Sequence, residues 1–461
     1  MAHALAGKPV QEQDIIDVQT IVDAYFDNVP DMTNPTQLVS FGTSGHRGTS
    51  VDGTFTDLHV AAITQAICDG RKQFGATGPI FVGQDTHALS QPALVTVLEV
   101  LAGNGVTAMV DCDMAFVPTP SVSRAIIRYN EEHDDKADGI IITPSHNPPD
   151  NGGIKYNTII GGPADTVVTK WIEMRANEYL TAYCESEDFK RISIDNIEPT
   201  AQVPYDYKGL YVEELGDVIN MEAIKAAGPK VLVDTLGGSG ASYWNAIKER
   251  YGLDLTIIHD DYDPTFSFMT YDHDGKVRMD CSSTYVMASV INRIGDFDLA
   301  VGNDPDYDRY GIVVSSGLIS ANTFLTLAAR YLFTTRGWKN KGVGKTVVCT
   351  TMIDKWAADA ETPVFEVPVG FKYFSQLLFD GAIGIGGEES AGASFLKKDG
   401  TVWTTDKDGM IMALLSMEIM AVMGKSALKM ADEFVEEFGN PSFGRIDAPC
   451  KKEQKQDRKS V

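Results

Sequence analysis

With 461 residues the chain exceeds what one compact core can hold, so about three domains with clefts between them are expected. Its composition, 43% hydrophobic and 22% charged without a long uncharged apolar run, excludes a helical membrane protein. The net charge of −25 excludes nucleic acid and anionic membranes as partners, since both need a basic surface, but it permits a small phosphorylated ligand where basic side chains converge.

The amino-terminal run MAHALAGKPVQEQD lacks the basic start, apolar stretch and small-residue cleavage site of an export signal, which predicts a cytoplasmic protein. Cys68, Cys112, Cys184, Cys281, Cys349 and Cys450 stand singly, with no CxxC pair. In a chain large enough to fold without staples they read as reduced thiols, not as a zinc site.

The first loop with chemical content is FGTSGHRG, residues 41–48, where Ser44, His46 and Arg47 stand among Gly42, Gly45 and Gly48. Such glycines let backbone approach an anion, although the same run also reads as an ordinary glycine loop. From residue 78 apolar runs alternate with helical patterns: GPIFVGQD, LVTVLEVLAGNG, VTAMVDC, SRAIIRYN and DGIIITPS. This alternation predicts α/β wiring with a parallel or mixed sheet. The last of these runs delivers Thr143, Pro144, Ser145, His146 and Asn147 into a loop stiffened by Pro148 and Pro149 and loosened by Gly152 and Gly153. A hydroxyl nucleophile needs a cation or base beside it, and His146 and Lys155 are at hand. TPSH taken alone reads equally as a turn carrying a surface histidine.

After a polar stretch over residues 183–210 the same grammar returns in KVLVDTLGG, a helix through YWNAIKERYG, LDLTIIHD, a helix near YVMASVINRIG, and DFDLAVGND. There Asp304, Asp306 and Asp308 occupy alternate positions after a strand, so extended backbone would turn all three carboxylates to one side. Hard oxygen ligands this close suit magnesium, completed by phosphate and water. A calcium EF-hand is excluded because Arg309 stands where its glycine belongs and Ser315 where its glutamate belongs. The alternative is a solvated acidic turn.

A third unit comes next in TFLTLAARYLF, KTVVCTTMI, PVFEVPVG, GAIGIGGEE and a helix from DGMIMALLSMEIM. VGFK carries Gly370 and Lys372, GGEESAG offers Glu388, Glu389 and Ser390 as acceptors for sugar hydroxyls, and TTDKDG places Lys407 before a helix. GVGKT at 342–346 imitates a P-loop, but Lys339 replaces its first glycine and a strand is expected to follow, which excludes an NTPase. The chain closes in a polar, lysine-rich run expected to be disordered. The predicted fold is three tandem, similar α/β domains with mixed sheets around a central cleft. The predicted boundaries are 1–205, 206–320 and 321–441, with a tail over 442–461.

The order SGHRG, TPSHNP, NDPDYDR, GFK and GEES, spread from about residue 38 to residue 448, resembles the α-D-phosphohexomutase superfamily, most closely its bacterial phosphoglucomutase branch. The resemblance implies phosphoserine at Ser145, magnesium on Ser145, Asp304, Asp306 and Asp308, and Arg309 beside them. It implies catalytic roles for Arg47, His146, Lys155 and the acid/base Lys407, with Lys398 of KKDG as an alternative for that last role. Ser44, His46, Arg309, Gly370, Lys372, Glu388 and Ser390 would bind substrate. The implied reaction interconverts glucose 1-phosphate and glucose 6-phosphate through glucose 1,6-bisphosphate. Phosphomannomutase activity and a non-catalytic phosphosugar-binding remnant are the alternatives. Family members continue into a fourth domain with a Ser-Gly-Thr phosphate loop. This chain stops where that domain would begin, which predicts a weakened mutase because remote binding energy positions the reacting hydroxyl.

Overall fold

The computed structural model describes residues 2–42, 45–184 and 189–439. Thr43, Ser44 and the expected tail over 442–461 lie outside the described residues.

The first sheet runs in the order β1 (His46–Thr49), β5 (Asn151–Asn157), β4 (Asp138–Ile142), β2 (Ile80–Gln84), β3 (Ala108–Asp111) and β6 (Gln202–Tyr205). β4, β2, β3 and β6 are parallel, while β5 and β1 add antiparallel at one edge. β4 and β2 are buried on both faces, as expected for continuous apolar runs under covering helices. The second sheet is ordered β11 (Gly317–Leu318), β10 (Tyr310–Val314), β9 (Leu299–Asn303), β7 (Val231–Asp234), β8 (Leu255–Ile258). The third is β13 (Val364–Val367), β12 (Gly342–Thr346), β14 (Ile383–Gly387), β15 (Ala393–Phe395). Each sheet is mixed, with a parallel heart and an antiparallel edge.

Two local expectations shift. GVGKT is itself strand β12, pairing with β13 and β14 on either side, and it leads into a turn and the helix Met352–Asp359. Its glycines fit because the rings of Phe365 and Phe374 occupy the space a side chain would need at Gly342 and Gly344. The helix expected near YVMASVINRIG condenses to one turn, Ala288–Ile291, since β-branched Val290 and Ile291 followed by Asn292 and Gly295 are poor helix formers.

The second and third units share one hydrophobic core, running from Tyr211 and Trp244 through Phe324 and Trp356 to Phe434. At its centre lies the helix Gly409–Met423, buried from Gly409 to Ile419. Its one carboxylate, Glu418, is 1% exposed and satisfied by Arg336 at 2.7 Å, Tyr331 at 2.8 Å and the Asn220 amide at 2.7 Å. Near the amino terminus, residues 7–10 strap onto the second unit, where Gly7 donates to Tyr271, Tyr271 to Lys8 and Val10 to Met269. Among the described residues no single helix is long and apolar enough to cross a membrane. The helices Gly409–Met423 and Ala427–Phe438 reach that composition together, but they are bent by 77° at their junction.

Candidate active site

In an open α/β sheet, ligands gather outside the carboxyl ends of the strands. The loops after β4, β9 and β14 all leave from such ends and meet in one cleft of about 640 Å³. Arg47, His146, Lys155, Asp308, Arg309, Lys372, Glu388, Ser390 and Lys407 line it, together with Asp280, Glu389 and Asp406.

Ser145 follows β4 at φ 59°, a left-handed conformation that costs a non-glycine residue on the order of 1–2 kcal/mol. Its turn closes through the Ser145 amide, which donates to Thr143 Oγ1 at 2.8 Å. Behind it, Gly153 of β5 comes so close to the Thr143 carbonyl that a Cβ would collide. The Ser145 hydroxyl donates to Asp304 Oδ2 at 2.8 Å and lies 3.2 Å from His146 Nδ1.

The three aspartates are all buried, and an oxygen of each lies within 4.8 Å of the others. They converge through a turn, not through extended backbone as expected. The Tyr307 amide closes the turn onto the Asp304 carbonyl at 2.9 Å, with Tyr307 itself at φ 63°. Thr119 braces Asp306 from the first unit at 2.6 Å. Lys155 Nζ stands 2.6 Å from Asp306 and 3.1 Å from Asp308, and Lys407 Nζ 2.8 Å from Asp308.

Burial alone would lower the Lys155 pKa, but Asp306 and Asp308 outweigh it and hold the ammonium above its ordinary range. Burial, then Asp306 and Asp308, push Asp304 well above the usual carboxylate range. Burial also opposes ionisation of Asp308, but Lys155, Lys407 and Arg309 more than compensate and hold it well below that range. Three buried carboxylates meeting at one point call for positive charge. Asp306 Oδ1 and Asp308 Oδ1 are moreover buried with no hydrogen-bond partner. Hard oxygen donors with open lone pairs fit a divalent cation such as Mg2+.

Glu388 is 5% exposed after β14 and accepts from the Gly370 amide at 3.0 Å, so the GFK and GEES loops are tied together. Burial raises its pKa. Arg309 reaches Asp280 at 3.4 Å, and its amide donates to Asp304 at 2.9 Å. Lys407 lines the cleft, whereas Lys398 Nζ points to the Ile219 carbonyl at 3.4 Å. The loop bearing Lys407 is held by the first unit: Thr405 donates to the Ile160 carbonyl at 2.6 Å, and Asn157 to Asp406 at 2.9 Å.

Residues 38–182, 210–317 and 320–438 match, in order, the phosphoglucomutase/phosphomannomutase alpha/beta/alpha domains I, II and III. The chain is 47% identical over 455 residues to a phosphoglucomutase of Komagataeibacter xylinus, covering 98% of this chain and 82% of that protein. It belongs to the phosphoglucomutase/phosphomannomutase family, within the α-D-phosphohexomutase superfamily. Members of this family use a phosphoserine and are Mg2+-dependent. Phosphoglucomutase 1 of Saccharomyces cerevisiae is 28% identical over 443 residues, which cover 88% of this chain and 74% of the yeast protein. The fold is that of the Paramecium phosphoglucomutase parafusin in its open form, with TM-score 0.71, 20% identity, and coverage of 90% of this chain and 76% of that one.

His46 does not fit its expected place. On β1, neighbouring side chains alternate faces, so with Arg47 turned to the cleft His46 points into the first unit. There it is 3% exposed, stacked on His59, with Nε2 3.0 Å from the Thr54 carbonyl; it is a packing residue. Sequence reasoning passed over Asp280 and Asp406. Asp280 lies in no run that would have marked it, whereas Asp406 sits beside Lys407 in TTDKDG and was overlooked in favour of the lysine.

Proposed function

We propose that the chain is a phosphoglucomutase that interconverts glucose 1-phosphate and glucose 6-phosphate, with Ser145 as phosphate carrier. The observation that carries this reading is the meeting of Ser145 with Asp304 across two units at 2.8 Å, beside Lys155 and Lys407. A divalent cation on Asp304, Asp306, Asp308 and the Ser145 phosphate would neutralise charge on the transferring group.

In the first transfer the bond between phosphorus and Ser145 Oγ breaks. A new bond forms to the free C6 or C1 hydroxyl oxygen of the bound hexose monophosphate. The proton of that hydroxyl passes to a basic group, a role assigned to Lys407 in its neutral amine form, since a hydroxyl that attacks must lose its proton. Glucose 1,6-bisphosphate results. After it turns over in the cleft, its other phosphate returns to Ser145 and the proton goes back to the sugar oxygen. Arg47, Lys155 and Arg309 stabilise the charge spread over the phosphoryl oxygens, and such electrostatic stabilisation supplies most of the catalysis in phosphoryl transfer. Glu388 and Ser390 hold the sugar hydroxyls, and Lys372 with the Gly370 turn completes the substrate-binding wall beside them. Glucose 1,6-bisphosphate is also the activator that loads Ser145. Cys68, Cys112, Cys281 and Cys349 are free, which suits the reducing cytoplasm.

The test is sustained conversion of glucose 1-phosphate by purified chain with Mg2+, followed through a coupled dehydrogenase, alongside mannose 1-phosphate. Turnover of glucose 1-phosphate above mannose 1-phosphate is expected. Bisphosphate uptake without turnover would replace the mutase with a phosphosugar-binding reading.

A further inference from the structure

Behind the serine loop, at the carboxyl end of β2, lies a buried group that takes no part in the phosphoryl transfer itself. Asp85, His87 and Thr143 are 1%, 1% and 0% exposed. Asp85 Oδ2 accepts from Thr143 Oγ1 at 2.6 Å and pairs with His87 Nδ1 at 2.9 Å. Asp85 Oδ1 accepts from Ser90 Oγ at 2.5 Å and from the His87 amide at 3.0 Å. His87 Nε2 lies 3.0 Å from the Asn147 carbonyl, and the ring of Phe266 from the second unit covers the imidazole at 5.1 Å.

Hydrogen-bond capacity fixes the direction of every link. Thr143 has one hydroxyl proton and gives it to Asp85, so its oxygen is free to accept the Ser145 amide at 2.8 Å. The partners of both His87 nitrogens, a carboxylate and a carbonyl, can only accept, so both nitrogens donate and the ring is an imidazolium. The pair therefore grips the chain at Thr143 and at Asn147, two residues to either side of Ser145. The residue between the two grips is the one at φ 59°. A left-handed serine persists where its surroundings over-determine it.

We propose that Asp85, His87 and Thr143 form the positioning unit that holds Ser145 in its phosphate-accepting conformation, an inference that rests on Ser145 being the carrier. Their side-chain hydrogen bonds run to one another, to Ser90 and to the loop backbone at Ser145 and Asn147. They act through the loop, so their loss falls on the transfer step and spares binding of the sugar phosphate.

The experiment is time-resolved phosphorylation of Ser145 by glucose 1,6-bisphosphate, read by intact mass over a range of bisphosphate concentrations. Thr143→Val, His87→Leu and the conservative Thr143→Ser are compared with wild type, each checked by circular dichroism at the assay temperature. Thr143→Val and His87→Leu are expected to slow the limiting rate roughly 10- to 100-fold, the usual loss when a supporting shell is removed. The half-saturating concentration should stay within about threefold, and Thr143→Ser should restore the rate. If His87→Leu does not fold, Thr143→Val decides, since it exchanges one hydroxyl for a methyl. Variants that fold and load Ser145 at the wild-type rate overturn the proposal while leaving the carrier reading intact. A wild-type chain that takes up no phosphate overturns both.

Discussion

Ser145 Oγ and Asp304 Oδ2, 159 residues apart in the chain, share a hydrogen bond of 2.8 Å at the junction of the first and second units. The hydroxyl and the acidic triplet thus meet at one point, as a shared phosphate and cation require. Ser145→Ala removes the acceptor oxygen and leaves the cleft. After incubation with glucose 1,6-bisphosphate, wild type is expected to gain one phosphate in intact mass and Ser145→Ala none.

The orphaned oxygens of Asp306 and Asp308 predict a cation-dependent stability. A ligand that binds the folded state alone contributes about 2.7 kcal/mol at a hundred times its Kd, so saturating Mg2+ should raise the melting temperature by several degrees. Asp306→Asn, which removes one of the two carboxylate charges facing Lys155, should lose most of that rise, and chelation should abolish it in wild type. An equal melting temperature with and without Mg2+ would rule out the cation site.

Lys407 and Lys398 stand in the same connection between β15 and the helix Gly409–Met423 but in different surroundings, the first against Asp308 at 2.8 Å, the second against a backbone carbonyl. Lys407→Met should lower kcat by roughly 10²- to 10⁴-fold, the span of a lost general acid or base. Lys398→Met should stay within about threefold of wild type, as a change outside the reacting groups does. The reverse ranking would move the proton-transfer role to Lys398.

His46 and His59 predict an acid-sensitive first unit. Burial is the chief cause of both shifts, lowering His46 to about 3 and His59 to about 4 from an ordinary 6.5. Both folded-state values are depressed, so the unfolded chain binds these protons first. The stability they protect is full above pH 6.5 and falls as pH drops towards 4. Each neutral ring should account for about 1.4 kcal/mol per pH unit in that window. Urea melts of wild type and His59→Gln between about pH 7 and pH 4.5 check this. The variant, less stable near neutral pH, should lose stability more slowly on acidification.

Asp138 is fully buried and held by Arg71 at 2.7 Å and Tyr156 at 2.7 Å. Asp138→Asn leaves the Arg71 charge with the Gly78 and Pro79 carbonyls alone. Removal of one partner of a buried pair costs about 3–5 kcal/mol, which a denaturant titration of the first unit would register. A loss below about 1 kcal/mol would mean that solvent reaches the guanidinium.

Where a feature depends on near neighbours in the chain, the amino-acid sequence determined it. The apolar runs that became β4, β7 and β9 and the alternation of strand and helix through each unit are of this kind. So is the delivery of Ser145, Asp304, Asp306, Asp308 and Glu388 into loops at strand ends. Hydrophobic periodicity and turn chemistry are local, so they survive being read one segment at a time. Tertiary structure alone decided which charges face one another. Lys407 was separated from Lys398 by the docking of the 404–408 loop on Asn157 and Ile160, and His46 left the cleft because strand alternation turned Arg47 towards it. Asp85 and His87 became neighbours of Ser145 through the parallel pairing of β2 with β4, which sets Gln84 against Ile142 and brings two distant loops side by side. Those contacts join residues tens to hundreds of positions apart, and their energies depend on burial and distance, which no local pattern of residues encodes.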